Sequence, residues 1–226
     1  MLEQLGAIDQ TLALFVALNN VLGVRPILRY GSPSVRDELL PRLAQGRELA
    51  AFALTEPNAS SNPNTIESYA VPGVGGWRLH GTKWWSGAAA WAGVIHVFVQ
   101  ELDSAGRSRG VSAFAVPQAA EGLRQGPESL SMGVRGLIQN TVHLGGARVG
   151  QSSRLGDAGR GMDVAQDAMM KSFLLAYPIW ILLFIRSCVS IIVLVPLILY
   201  LGGQHRLRSP FWRLHILRAF LFSTGF

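Results

Sequence analysis

Val94-Ile95-His96-Val97-Phe98-Val99-Gln100, a polar stretch over 103–110, then Val111-Ser112-Ala113-Phe114-Ala115-Val116 with Pro117 behind it: this run decides the fold. β-branched and aromatic side chains crowd both ends of a turn-rich loop, which is the signature of two successive strands. Pro117 has no N–H to give to a ladder and stops the second one. Towards the N-terminus, Trp77-Arg78-Leu79-His80 alternates and Gly81 is read as its end. A turn is expected at 73–76, a partly alternating segment at 66–72, and a short apolar run at 49–54. Towards the C-terminus, 123–126, 131–135 and 140–144 read as further short strands or turns. Strand signals spaced about a dozen residues apart, with glycine-rich turns, predict an antiparallel barrel or sandwich.

Helical patterns flank this region. Leu12, Phe15, Val16, Leu18 and Leu22 recur at helical spacing across 6–24, with Gly23 and Pro26 as the expected stop. Ser32-Pro33 places a capping hydroxyl before a proline at the first helical position. The following helix, 34–44, carries Val35, Leu39, Leu40 and Leu43 on one side. Residues 156–161 form a glycine-rich loop, and a helix begins at 162. The expected class is α+β: a short helical N-terminal segment (1–47), an antiparallel β-barrel or sandwich middle domain (48–155), a loop and helix start (156–172), and an apolar, helical C-terminal tail (173–226).

Composition separates the tail from the rest. The 226 residues carry 20 Lys plus Arg against 14 Asp plus Glu, a net charge of +6. Lys171, Arg186, Arg206, Arg208, Arg213 and Arg218 lie in 171–226, which contains no acid. The whole excess therefore belongs to the tail, and the body offers no basic face for nucleic acid. The 49% apolar and 15% charged composition excludes a disordered chain. One cysteine, Cys188, excludes a disulfide framework. The five histidines show no metal-ligand spacing, so no metal is expected. Glu3 and Asp9 fall where the apolar part of a leader would begin, and no Arg precedes Arg25; the body is expected to be cytoplasmic.

Three stretches carry chemistry. They are Phe52-Ala53-Leu54-Thr55-Glu56-Pro57-Asn58-Ala59-Ser60-Ser61-Asn62, Gly81-Thr82-Lys83-Trp84-Trp85-Ser86-Gly87, and Leu155-Gly156-Asp157-Ala158-Gly159-Arg160-Gly161-Met162. In order and spacing they resemble the flavin-dependent acyl-CoA dehydrogenase family over about residues 5–170. The family shows Thr-Glu-Pro-x-Ala-Gly-Ser-Asp, Gly-Thr-Lys-x-Trp-Ile-Thr, and a glycine-rich loop before a C-terminal helical domain. The resemblance implies α,β-dehydrogenation of an acyl-CoA with FAD as cofactor, an electron-transfer acceptor and a homo-oligomer. It also implies FAD contacts from the segment holding Phe52, Leu54, Thr55 and Ser61 and from Trp85 and Ser86, with Ser61 touching the acyl-CoA as well. The residue chemistry suits this: a flavin ring needs a flat apolar wall and hydrogen-bond partners at its pyrimidine edge. Phe52 and Leu54 supply apolar surface, Thr55 and Ser86 supply hydroxyls, and Trp85 supplies a broad face with one donor. This chain departs from the pattern at Ser60 for Gly, Asn62 for Asp, Gly87 for the second hydroxyl residue, and Gly145-Gly146 for a Glu-Asp turn.

Plainer roles compete for the same residues. Thr55-Glu56-Pro57 also reads as an ordinary strand exit, with Glu56 a structural carboxylate, and Trp84-Trp85 also reads as core or interface. The family's base is a Glu of its C-terminal helical domain, and residues 171–226 offer no carboxylate. The chain is thus expected to be truncated, with no catalytic residue of its own and little or no dehydrogenation. The tail has two readings. Residues 173–201 are apolar enough for a membrane span followed by arginines, which supports the alternative of a membrane-attached, non-enzymatic binding domain. The favoured reading is a segment that did not evolve with the body.

Overall fold

The computed structural model describes residues 2–59, 62–174 and Cys188. The chain divides into two units, Met1–Ser172 and Phe173–Phe226. Apart from residues 173, 174 and 188, the expected tail, including the span at 173–201, lies outside the described residues, as does Ser61.

The first expected helix is a series of shorter ones. α1 (Leu2–Ile8) ends before Asp9, whose carboxylate accepts from the N–H groups of Thr11 and Leu12 and so starts α2 (Gln10–Leu18). A π-helical turn follows (Asn19–Val24), in which the Arg25 N–H reaches the Asn20 carbonyl five residues back. Pro26 does not stop the chain's helical course. It sits in the first turn of α3 (Arg25–Tyr30), where a missing N–H costs little. α4 (Pro33–Ala44) begins as expected, with the Ser32 hydroxyl accepting from the Val35 N–H.

The strands are β1 (Ala50–Ala53), β2 (Tyr69–Gly73), β3 (Gly76–Gly87), β4 (Val94–Leu102), β5 (Ser108–Pro117), β6 (Leu123–Ser129), β7 (Gln139–Gly150) and β8 (Arg154–Leu155). α5 (Gly161–Leu174) closes the described body. The sheet order is β6-β7-β3-β2-β4-β5-β8, with β1 also paired to β4. This corrects the expected antiparallel barrel. β1 and β2 both run parallel to β4, at residues 94–97 and 100–101 respectively, while the other pairs are antiparallel. The two outer strands, β6 and β8, pair with β7 and β5 but not with each other, so the sheet is mixed and open. Of the two alternatives for 131–135, strand or turn, the chain takes the second, while one further boundary differs: β3 runs through Gly81 to Gly87. Gly81 has φ +134°, and a Cβ there would meet the Ser68 hydroxyl at 2.1 Å. It serves a close approach of backbone, not a strand end.

β4 is buried on both faces, which is why its sequence is a continuous apolar run rather than an alternation. Ile95, Val97 and Val99 pack with Leu79, Phe114, Val116, Val142 and Leu144 inside the curl of the sheet. Val94 and Phe98 point the other way, into a second layer with Ile27, Val35, Leu43, Leu155 and Val164 from the helices and the β8 end. Between them His96, fully buried, donates from Nε2 to the carbonyl of Gly23 at 2.7 Å and fastens the π-turn to the sheet. Further down β4, the buried Glu101 accepts from Arg154 (3.1 Å) and from the Ser112 hydroxyl (2.6 Å). That hydroxyl in turn accepts from the Gly159 N–H (2.8 Å), fixing the glycine-rich loop. Arg25 and Arg29 reach Asp167 of α5 at 3.3 and 3.5 Å.

Burial holds the His96 imidazole down to about 4, against an ordinary 6.5, because Nδ1 is enclosed with no acceptor for a second proton. The unfolded chain takes up that proton near 6.5. The contribution of neutral His96 is therefore complete above pH 6.5, falls with pH through this window, and levels near pH 4. The loss amounts to about 3 kcal/mol. Urea unfolding of the full chain at pH 7 and pH 4 should show wild type losing its advantage over His96→Gln by about that amount.

Candidate functional site

A cleft of about 260 Å³ opens between the first helices and the strands. Phe15, Leu18, Asn19 and Leu22 form its helical wall; Phe52, Leu54 and Thr55, at the end of β1, form the second; Trp84, Trp85, Leu137 and Gln139 complete it. The sequence places each group there for a local reason. β1 lies beside β4, so the Phe52 ring settles against Phe98 with centroids 4.6 Å apart. Asn19, in the π-turn, accepts from the Ala50 N–H at 2.9 Å and holds helix and strand together at the cleft floor. The run Gln10–Tyr30 is long and apolar enough to cross a membrane by length and composition. Its apolar residues at 15, 18 and 22 line this cleft.

The strand carrying the tryptophans is bulged. Lys83 stands opposite Val142 and Ser86 opposite Asn140, so Trp84 and Trp85 together face the single residue Thr141. Trp85 adopts φ +51° and Ala88 φ +59°, both in the left-handed region. The two indoles lie 5.8 Å apart with planes inclined by 52°, and Trp85 is 55% exposed. The Trp84 N–H donates to the Thr55 carbonyl at 2.8 Å, so the strand exit is bonded directly to the bulge.

Behind this wall lies a buried ion pair. Lys83 is fully enclosed; its Nζ donates to Glu56 Oε1 at 2.5 Å and to the Leu54 carbonyl at 3.3 Å. Glu56, 3% exposed, also accepts from the N–H groups of Glu67 (2.7 Å) and Ser68 (3.2 Å). Burial pulls the Lys83 ammonium down to about 8, against the attraction of Glu56. Burial pushes the Glu56 carboxyl up, but Lys83 and the surrounding donors more than reverse this and hold it below the usual carboxylate range.

Of the residues singled out in the sequence, Phe52, Leu54, Thr55 and Trp85 come together at the cleft. Ser86 is buried next to Trp85, is not part of the lining, and its hydroxyl has no hydrogen-bond partner among the described residues. Glu56 is structural, as its place beside a proline suggested. Asn19, Leu137 and Gln139 were missed. They arrive from segments far apart in the chain, and nothing in their local sequence marks them.

Comparison with known proteins is consistent on one point. The acyl-CoA dehydrogenase N-terminal domain matches residues 1–47, and the acyl-CoA dehydrogenase middle domain matches 51–146. The chain belongs to the acyl-CoA dehydrogenase family, as a partial member. The mitochondrial very long-chain specific acyl-CoA dehydrogenase of Bos taurus is 30% identical over 171 residues, 73% of this chain and 26% of the relative. Among solved structures, a glutaryl-CoA dehydrogenase from Mycobacterium smegmatis in complex with FADH2 superposes with TM-score 0.66 at 29% identity. That match covers 74% of this chain and 42% of the other. Butyryl-CoA dehydrogenase from Megasphaera elsdenii gives TM-score 0.69 at 26% identity, covering 74% and 44%. This acyl-CoA dehydrogenase relative thus spans about a quarter of the length of that very long-chain enzyme and under half of those solved chains.

Removing one partner of a buried ion pair strands the other charge. Lys83→Met should lower the stability of the full chain by about 3–5 kcal/mol, measured by denaturant unfolding at neutral pH.

Proposed function

We propose that this chain is a flavin-binding module of the acyl-CoA dehydrogenase type, and that its cleft takes the ring portion of FAD. The observation that carries the reading is the cleft wall. Phe52, Leu54, Leu137 and Trp85 give apolar and aromatic surface, and Thr55, Asn19 and Gln139 give polar groups at its border. Ligand clefts for drug-sized molecules run to about 300–1,000 Å³. A cleft of about 260 Å³ therefore suits a ring system and leaves the rest of a dinucleotide outside it.

In this reading Phe52 and Leu54 exclude water from one side of the ring, and Trp85 closes over the other. Thr55 and Gln139 orient its polar edge. Bound FAD supplies hydride acceptance from an acyl thioester. Ser61 is proposed to contact the acyl-CoA, the substrate class that the family membership favours. No carboxylate lines the cleft among the described residues, and 171–226 contains none. Residues 1–226 are therefore proposed to bind the ring without themselves supplying the base for α-proton removal.

Titrating the full chain with FAD should give saturable quenching of flavin fluorescence. Trp85→Ala should weaken binding about tenfold, the loss of about 1.4 kcal/mol of stacking. No enoyl-CoA should form when acyl-CoA and an artificial acceptor are added. Absence of saturable quenching in the wild-type chain overturns the binding reading, and enoyl-CoA formation at ordinary enzymatic rates overturns the statement on catalysis.

A further inference from the structure

We infer that the buried Lys83–Glu56 pair is a positioning clamp, holding the β3 bulge in the left-handed conformation that sets Trp85 at the mouth of the cleft. The clamp is argued from geometry alone; its consequence for ligand affinity rests on the flavin reading above.

A bulky residue at φ +51° is a strained conformation, and such backbone persists only where its surroundings over-determine it. On the C-terminal side of the bulge the constraint is the sheet. Ser86 and Gly87 resume pairing with Asn140 and Gln139, and the Ala88 N–H donates to the Ile138 carbonyl at 2.7 Å. On the N-terminal side the ladder to β7 ends at Lys83, leaving Trp84 and Trp85 against one residue. What grips the chain there comes from the β1 exit. The Trp84 N–H bonds to the Thr55 carbonyl, and Lys83 Nζ bonds to Glu56 and to the Leu54 carbonyl.

Glu56 makes this grip three-sided. Through the N–H groups of Glu67 and Ser68 it also holds the segment entering β2. One carboxylate thus joins the β1 exit, the approach to β2 and the start of the bulge. An apolar residue at 83 could fill the same space, but it would make no directional bond across the gap. A buried ion pair is often no more stabilising than apolar groups of similar volume. Its particular contribution here is direction: it fixes where residues 83–85 lie relative to Leu54 and Thr55. Lys83 and Glu56 do not line the cleft themselves, so they act on it through the lining residues they hold, Leu54, Thr55, Trp84 and Trp85.

The test compares the full-length wild type with Glu56→Gln/Lys83→Met. Gln retains an acceptor for the Glu67 and Ser68 N–H groups, and Met replaces the lysine stem, so no charge is stranded. Three quantities are measured: the melting temperature, the far-ultraviolet exciton couplet of the neighbouring Trp84 and Trp85 indoles, and the FAD dissociation constant. The clamp requires a melting temperature close to wild type, a diminished couplet, and affinity weakened about tenfold, as for loss of one ring contact. An unchanged couplet with unchanged affinity overturns it and reduces the pair to general stability. If the wild type binds no FAD while the couplet still depends on the pair, the flavin reading fails and the clamp stands. Should the double variant not fold, Glu56→Asp keeps the charge and shortens its reach by one methylene. A diminished couplet in that variant supports the clamp, and a wild-type couplet overturns it.

Discussion

Burial of β4 on both of its faces is the constraint from which the rest of the body follows. A strand with apolar side chains on both sides must be covered twice. The curled part of the sheet covers one face with Leu79, Val142 and Leu144, and the helices cover the other with Ile27, Val35 and Leu43. β1 joins β4 in parallel, which requires the chain to leave its far end and travel before returning to the sheet. That departure is the segment beginning at Leu54 and Thr55. The cleft exists because the departing backbone, the helical wall and the bulged β3 meet at one point.

The two chemistries of the site are kept apart. On the open side are aromatic and aliphatic surfaces with a few amides and a hydroxyl. On the enclosed side is an ionic pair bonded to itself, to the Leu54 carbonyl and to the backbone N–H groups of Glu67 and Ser68. A charge so deep is tolerated because backbone amides and an opposite charge surround it, and its field is spent locally. The cleft itself is left uncharged, which suits a neutral aromatic guest better than an anion.

Some of this was legible in the sequence and some was not, for definite reasons. The β4 and β5 strands are apolar runs of β-branched residues, and no other local structure accommodates them as well. The Ser32-Pro33 start of α4 was equally plain. Pairing direction was hidden, because a strand buried on both faces shows no alternation from which a neighbour could be inferred; hence the expectation of an antiparallel barrel. Asp9 fell inside the helix expected over 6–24 and proved to be a cap that divides it. Gly81 was read as a stop and proved to be a point of contact with Ser68. Four cleft residues were identified from motifs that lie close together in sequence. Leu137 and Gln139 were not, because only the β3–β7 pairing brings them there. Lys83 was quoted in a motif, but a lysine on a strand is ordinarily a solvated one, and only the fold reveals its enclosure.

The π-turn at Asn19–Val24 has a consequence for how this lineage can change. Each residue added to or removed from a helix rotates everything beyond it by about 100°. Shortening this turn by one position would restore regular helical winding, swing Ile27 and the Arg25 side chain off their present bearings, and take the Gly23 carbonyl away from His96. The hairpin tip at Gly73–Gly76 has no such gearing. Insertions and deletions accumulated over evolutionary time should therefore collect at that tip and be absent between Asn19 and Arg25, a pattern of chain-length variation set by a single over-wide coil.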